Sequence, residues 1–239
     1  MRSKEIVPIE KPQSLRDIAA ESIRDAIVSG SFELGEALSE AALVRLLGIS
    51  KTPIREALSI LKLEGLISVV PQKGTFVFTL SAAEVAQLGQ YRFTLESFAV
   101  DLAMANNPKA LVLDLLGICE RMETKHNAGE MDEYLKLDTR YHETIFRHCG
   151  NYYFEDGYKL VSGKIAALRK HLSLHPTHTE KSFQEHFKMA ELLREGKVKE
   201  AKSLLERHVT RGERSYADTV KDIAKADRNS GLRTKRKRG

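Results

Sequence analysis

Hydrophobic residues recur at helical spacing over most of the chain. The first such stretch runs from Ser14 to Val28, and its predicted apolar side consists of Leu15, Ile18, Ala19, Ile23, Ala26 and Ile27. The same period returns after Ser81 and continues to about Ile223. No alternating strand pattern interrupts this second region, and its breaks divide it into about six or seven predicted helices. The pattern therefore predicts a mainly α protein whose larger part is an all-α helical bundle.

Between Leu38 and Gly74 the pattern changes to short elements, beginning with a short amphipathic helix. Ser39 is its predicted N-cap, because a serine hydroxyl can accept a hydrogen bond from a free N–H of the first turn. Its predicted buried face contains Leu43, Leu46 and Leu47. Gly48 suits its C-terminus, since glycine tolerates a left-handed backbone.

A second short helix is predicted to begin at Ser50, which we expect to cap it, with Pro53 in its first turn. The predicted inward positions are Ile54, Ala57, Leu58 and Leu61. The start and outer face of this helix carry Lys51, Thr52, Arg55, Ser59 and Lys62. A recognition helix uses such polar residues near its N-terminus on base edges and phosphates.

The segments Ile67 to Val70 and Thr75 to Phe78 are rich in β-branched and aromatic residues and predict a strand–turn–strand wing. Together with the helices before it, this wing predicts a winged helix-turn-helix domain over residues 1–78. The predicted DNA-binding residues are Ser50, Lys51, Thr52, Arg55, Ser59, Lys73 and Gly74. The alternative is a small helical subdomain with a hairpin and no nucleic-acid role.

Length and composition limit the class of protein. The chain has 239 residues, enough for two modest domains, and we predict that residues 79–223 form the second, all-helical one. No window offers about 20 uncharged apolar residues, so no membrane span is expected. The chain has two cysteines, Cys119 and Cys149. So few cysteines fit a reducing compartment, and a cytoplasmic location is predicted.

Positive charge is concentrated at the C-terminus. The net charge is +5, but residues 225–239 contain seven Lys/Arg and one Asp, a local charge of +6, which leaves −1 for the rest. DNA binding is therefore expected to depend on a few placed cations. Residues 224–239 are predicted to be a basic, disordered tail. This tail either adds nonspecific attraction to phosphates or has no role.

Several segments match a known order of motifs. The N-terminal ones read I-R-D-A-I-V-S-G, L-S-E-A-A-L, S-K-T-P-I-R-E-A-L and K-G-T-F-V, and the later ones include L-D-T-R-Y-H-E-T-I and E-H-F-K-M-A-E-L-L-R-E-G. In these segments the chain resembles the GntR family of bacterial transcription regulators, in the FadR-like subgroup with an all-helical FCD effector domain. The resemblance covers residues 14–210. One departure is Lys51, where the family usually has Arg; Lys can contact a phosphate but cannot form a bidentate fork.

Asp138 and His142 are four residues apart, which places them on one face of a predicted helix. His186 and His208 lie in later apolar helices. One Asp and three His suit a divalent transition metal, although a histidine on an apolar face is often a core residue with another partner. The resemblance implies the metal site, because many FCD domains bind a metal through an Asp, a His one turn later and two later His. Zn, Ni and Mn remain open.

Two further residues are candidate effector contacts. Arg92 lies four residues before Glu96, so it either contacts an anionic ligand or forms an ion pair along one helix. Asn151 follows a glycine and is either a helix cap or a donor to a pocket. His175 and His178 flank Pro176 and are predicted to be solvated loop residues.

The resemblance implies a ligand-responsive transcription regulator, a repressor that binds a near-palindromic double-stranded DNA operator as a homodimer. It also implies a small organic-acid effector, with a metal as part of the sensor. One alternative is a DNA-binding regulator with a purely structural metal and no effector. Another is a metal-dependent hydrolase, which we do not expect because no further acid or base lies at motif spacing.

Overall fold

The computed structural model describes residues 13–173, 176–212 and 214–216. Its first part, the N-terminal domain, contains α1 (Leu15–Val28), β1 (Ala37–Leu38), α2 (Glu40–Leu47), α3 (Lys51–Leu63), β2 (Ile67–Val70) and β3 (Gly74–Val77). Its second part, the helical domain, contains α4 (Ala82–Asn106), α5 (Pro108–Asn127), α6 (Met131–Cys149), α7 (Tyr152–Leu172), α8 (Pro176–Arg194) and α9 (198–212). The mainly α fold class is confirmed. The predicted tail, His175 and the side chain of His178 lie outside the described residues.

Local sequence signals explain where several helices begin and end. The Ser39 hydroxyl accepts from the Ala42 N–H, and Gly48 ends α2 in the left-handed conformation at φ 67°. Ser81 and Glu84 form a reciprocal capping box at the start of α4. Ser50 occupies the predicted N-cap position of α3, but the expected capping was wrong in one respect, because its side chain makes no cap hydrogen bond.

Three predicted core residues are instead exposed. Leu46 is 69% exposed, because α2 is a short helix that buries only the side on which Leu43 lies. Leu15 and Ile18 are 56% and 43% exposed. They precede the buried residues of α1, which begin at Ala19, and Leu15 lines a surface groove with Pro53.

The wing is a three-stranded antiparallel sheet in the order β1-β3-β2. Strand β1 was not predicted, since two residues carry no readable period; Leu38 pairs with Thr75 of β3. Val69 of β2 also pairs with Thr75, from the other side. The turn between β2 and β3 contains Gln72 at φ 62°, and β3 begins one residue earlier than predicted.

Helix α7 belongs to the hydrophobic cores of both domains. Its Ile165 packs into the core of the helical domain, whereas Ala167, Leu168 and Leu172 pack into that of the N-terminal domain. Gly163 permits close contact, because a Cβ atom there would lie 3.1 Å from Leu66 Cδ1. Leu66, three residues after the end of α3, therefore rests on α7. None of the described helices is long and apolar enough to span a bilayer.

Candidate nucleic-acid interface and metal centre

The predicted DNA-binding residues of α3 lie at the surface. Ile54, Ala57, Leu58 and Leu61 are buried, which leaves Lys51, Thr52, Arg55 and Ser59 exposed. Arg55 already has a partner, since its Nε donates to Glu40 Oε2 of α2 at 2.9 Å. Both side chains of this pair are well exposed, at 65% and 40%. Such a surface ion pair contributes little and is readily exchanged for a phosphate or a base.

Lys73 and Gly74 lie at the exposed tip of the wing. The Lys73 N–H donates to the Val70 carbonyl at 3.0 Å, which closes the turn. Gly74 has φ 116°, a backbone conformation that favours glycine. The turn thus directs its polar residues away from the core.

In the helical domain, three buried histidines from three helices converge. His142 of α6, His186 of α8 and His208 of α9 each offer a ring nitrogen within 4.8 Å of the other two. We call these residues the histidine cluster. The Nε2 atoms of His142 and His186 are only 3.0 Å apart. Asp138 borders the cluster, with carboxylate oxygens 3.9 Å from His142 Nε2 and 3.8 Å from His186 Nδ1.

Two carboxylates orient the cluster from outside. Glu96 Oε2 lies 2.8 Å from His142 Nδ1, and Glu185 Oε2 lies 2.8 Å from His208 Nδ1. We assign the ring protons to these Nδ1 atoms, because a carboxylate accepts a hydrogen bond. The Nε2 lone pairs then remain available. Glu185 was missed in the sequence, because nothing in its spacing relates it to a histidine 23 residues later.

Arg169 of α7 is the counterion of Asp138. Its Nε lies 2.8 Å from Asp138 Oδ1, within ion-pair distance although without hydrogen-bond geometry, and its Nη1 donates to Thr139 Oγ1 at 3.1 Å. Burial by itself raises the pKa of Asp138, but the positive charge of the Arg169 guanidinium outweighs it and holds that pKa well below its usual range. Asp138 is therefore an ionised carboxylate in the protein interior.

The histidines are held in their neutral form. Burial lowers the pKa of His186 to about 4, against the opposing effect of Asp138. Burial likewise holds the pKa values of His142 and His208 well below the usual range, and nearby positive charge adds to the effect. Neutral imidazole is the form that binds metals.

The donor set fits a divalent transition metal. Metal–nitrogen distances of about 2.0–2.1 Å imply ligand nitrogens roughly 3.0–3.4 Å apart, close to the separation of the two Nε2 atoms. His186 Nδ1 is buried and has no hydrogen-bond partner among the described residues. Three neutral nitrogens and one ionised carboxylate are suitable ligands for such an ion.

A cavity of about 60 Å³ adjoins the cluster. Arg92, Arg169, Ser182 and His208 line it together with apolar residues of α4, α7 and α9. Arg92 is only 8% exposed; its Nε donates to Glu96 Oε1 at 2.6 Å, and its Nη2 lies 3.0 Å from His142 Nε2. Two arginines therefore line the same space.

Asn151 lies at the start of α7, where its side chain accepts from the Tyr153 N–H at 3.1 Å. It is not among the residues that line the cavity beside the cluster. This geometry is that of a helix cap, one of the two roles expected for Asn151.

Comparison with known proteins now decides the family. Residues 15–77 match the gntR family of bacterial regulatory proteins, and residues 87–211 match the FCD domain. The chain belongs to the GntR family. It is 31% identical over 184 residues to the Nta operon transcriptional regulator of Aminobacter aminovorans, covering 76% of this chain and 85% of that protein. It is 33% identical over 136 residues to the gluconate operon transcriptional repressor of Bacillus subtilis, covering 57% of this chain and 56% of that repressor.

Solved structures agree on the fold. A GntR transcriptional regulator from Rhodococcus sp. RHA1 superimposes with a TM-score of 0.73 at 19% identity, over 85% of this chain and 98% of that one. E. coli McbR/YncC superimposes with a TM-score of 0.76 at 18% identity, over 87% of this chain and 100% of that one. These structures bear on the fold alone. The family models confirm the predicted family, the bacterial regulatory proteins of the gntR family, and its FCD domain, and the chain spans about half the length of the gluconate operon repressors it matches. Members of this family are regulators and not enzymes, so the predicted absence of an enzymatic function is confirmed as well.

Proposed function

We propose that this GntR-family protein is a ligand-responsive repressor that binds a near-palindromic operator as a homodimer. The observation that carries the proposal is the histidine cluster, which lies beside a cavity lined by two arginines, in a domain whose helix α7 also packs into the core of the N-terminal domain. Several family relatives are named repressors, among them those of the gluconate operon. The cytoplasmic location stays a prediction.

His142, His186, His208 and Asp138 would hold a divalent metal, with Zn, Ni and Mn as candidates. A bound metal would supply a Lewis-acid position for a carboxylate. The His142 Nε2 lone pair cannot serve a metal and Arg92 Nη2 together, so metal binding would release that contact of Arg92. Glu96 would continue to hold both side chains, because it bonds His142 Nδ1 and Arg92 Nε with different oxygens.

The effector is proposed to be a small organic acid. Arg92 and Arg169 both line the cavity, and a guanidinium binds a carboxylate through two parallel hydrogen bonds. A volume of about 60 Å³ corresponds to roughly two waters at their share of liquid volume. A larger effector would therefore move the cavity walls, and it would have different affinities for the open and closed forms, as allosteric regulation requires.

Helix α7 offers a direct route from this cavity to the N-terminal domain. Arg169 faces the cavity and Asp138, whereas Gly163, six residues earlier, contacts Leu66. Six residues of helix correspond to about 9 Å. A displacement of α7 at Arg169 would thus shift the surface on which the end of the recognition-helix segment rests.

The test combines thermal stability with DNA binding. The protein is screened against small carboxylates and sugar acids, with added divalent metal and again with chelator, and the operator is selected from a randomised DNA pool. A ligand at 100 times its Kd should add about 2.7 kcal/mol of stability. We expect a shift that requires metal and weakens operator binding. A responding acid that leaves operator affinity unchanged would contradict the proposal.

A regulator with a purely structural metal is the second candidate. The complete burial of His142 and His186 favours it, since both are 0% exposed, and structural sites are closed to solvent. In that case metal alone would raise the melting temperature, chelator would unfold the helical domain, and no acid would alter operator affinity.

A further inference from the structure

The cavity beside the histidine cluster is elongated along the helices that form its walls. On α4 it is lined by Val85, Leu88, Gly89 and Arg92. Their spacing places these four residues on one side of the helix. The seven residues from Val85 to Arg92 correspond to about 10 Å of helix. The cavity therefore has two ends, and different residues line each of them.

The end of the cavity at the histidine cluster is polar. His208 is a member of the cluster, and the Nη2 atom of Arg92 lies 3.0 Å from His142 Nε2. Ser182 of α8 lies one helical turn before His186, on the same side of that helix. We call the lining residues Arg92, Ser182 and His208 the polar end of the cavity.

The opposite end of the cavity is apolar and borders the core of the N-terminal domain. Its lining residues Val85, Leu172 and Tyr216 all belong to that core. They come from α4, α7 and the end of the described chain, and they are only 3%, 4% and 3% exposed. We call these three residues the apolar end. A cavity that is mostly apolar, with a few polar groups at one place, is typical of a small-molecule site between domains.

We propose that the effector is a monocarboxylic acid with a short apolar tail, either aliphatic or aryl. Its carboxylate binds at the polar end, and its tail lies between α4, α7 and α9 at the apolar end. This inference rests on the proposed function, which places a small organic acid in this cavity. It selects one chemical class from the acids that such a site could take.

The apolar end disfavours acids that carry many hydroxyl groups or a second charge. Of its three side chains, only that of Tyr216 has a polar atom. Backbone groups inside α4 and α7 are already used in helical hydrogen bonds. A buried hydroxyl without a partner costs free energy, and a buried second carboxylate costs more. Sugar acids and dicarboxylic acids should therefore bind more weakly than an apolar acid of the same length.

A tail at the apolar end would also act directly on the N-terminal domain. The cavity volume is only about 60 Å³, so a tail of several carbons displaces its walls. Val85 and Leu172 are among those walls and pack into the core that contains Leu61 of the recognition helix. A longer tail should thus weaken operator binding more than a shorter one, as linkage between the two sites requires.

The first test compares acids of different chain length by titration calorimetry, using the full chain with added Zn²⁺. The probes are acetate, butanoate, hexanoate and the six-carbon sugar acid gluconate. From butanoate to hexanoate the Kd should fall about fourfold for each added CH₂, and gluconate should bind no more tightly than acetate. An affinity independent of chain length, or gluconate binding more tightly than hexanoate, would overturn the inference.

The second test fills the apolar half of the cavity without changing the polar end. Gly212 of α9 lines the cavity, and a Cβ atom there would meet no neighbouring atom of the described residues within 4 Å. Gly212→Leu should weaken hexanoate binding at least tenfold and leave acetate binding unchanged. The matched control is Gly117→Leu on α5, where a Cβ atom also has open space, and it should keep both affinities.

Thermal denaturation checks that both glycine variants fold, which we expect because leucine favours a helix more than glycine does. Unchanged hexanoate affinity in Gly212→Leu would contradict the placement of the tail. The proposed function fails in a different way. Hexanoate that binds with the expected chain-length dependence but leaves operator affinity unchanged would contradict the proposed function alone, whereas binding of none of the acids would contradict both.

Discussion

The N-terminal domain and the histidine cluster use similar residue types in opposite environments. On α3, the candidate DNA contacts are near neighbours in sequence, lie at the surface, and include the exposed Arg55–Glu40 pair. Beside the histidine cluster, Asp138 and its partner Arg169 are almost completely buried, at 3% and 10% side-chain exposure. An exposed pair contributes about 0–1 kcal/mol, whereas breaking a buried one leaves a charge without compensation. The first arrangement can exchange partners with DNA, and the second holds helices together.

The largest expected effect is that of Arg169→Ala. This substitution leaves the Asp138 carboxylate buried without its counterion, and the free energy of unfolding should fall by about 3–5 kcal/mol. Urea denaturation measures the loss. Arg169→Lys keeps the positive charge and should lose less, so the result stays measurable if the alanine variant does not fold.

The matched control is Arg55→Ala, which removes the exposed pair and should change the free energy of unfolding by less than about 1 kcal/mol. Equal losses in the two alanine variants would remove the distinction between the two environments.

Metal binding should have the next largest effect on the free energy of unfolding. We expect one divalent ion per chain by elemental analysis, and a stabilisation of about 2.7 kcal/mol at 100 times the Kd. His186→Ala should abolish both, because it removes a ligand from the centre of the cluster. His148→Ala is the control, since His148 pairs with Asp114 at 2.9 Å outside the cluster. Metal retained by His186→Ala would refute the assignment of the ligands.

A smaller effect is expected for operator binding by Arg55→Ala. If Arg55 leaves Glu40 to contact a base, the variant should bind the operator more weakly by about 1–3 kcal/mol. Fluorescence anisotropy with the selected operator measures this. Glu40→Ala is informative beside it, because it frees Arg55 without removing it and should keep operator affinity or raise it. Unchanged affinity in Arg55→Ala would exclude a base contact.

The smallest effect is expected for Leu46→Ala in α2, and Leu43, which shares its hydrophobic pattern, provides the control. Leu46→Ala should change the free energy of unfolding by no more than about 0.5 kcal/mol, because the side chain is 69% exposed. Leu43→Ala should cost about 2–5 kcal/mol, because that side chain is 2% exposed. Comparable losses would show that Leu46 is covered in solution.

Predictions from the sequence were most accurate where a signal was local. Ser39, Gly48 and the Ser81–Glu84 box each act within one helical turn, so a single stretch of sequence reveals them. They were less accurate where a neighbouring element decides the outcome. Spacing placed Leu46 on the buried side of α2, but only the packing of that helix leaves it exposed.

The histidine cluster lies between these cases. Asp138 and His142 are one helical turn apart, so their common face is readable in the sequence. The resemblance to the GntR family added His186 and His208 as expected ligands. The roles of Glu185 and Arg169 could not be predicted, because each pairs with a residue of another helix: Glu185 of α8 with His208 of α9, and Arg169 of α7 with Asp138 of α6.

The sequence by itself determined the helical period, the helix-turn-helix with its wing, and the family, because each depends on residues that are close along the chain. Only the tertiary structure decided which carboxylates pair with the histidines, which residue is the counterion of Asp138, and that α7 packs into two hydrophobic cores. The physical reason is distance along the chain: these groups belong to different helices, and only helix packing brings them within a few ångströms of one another.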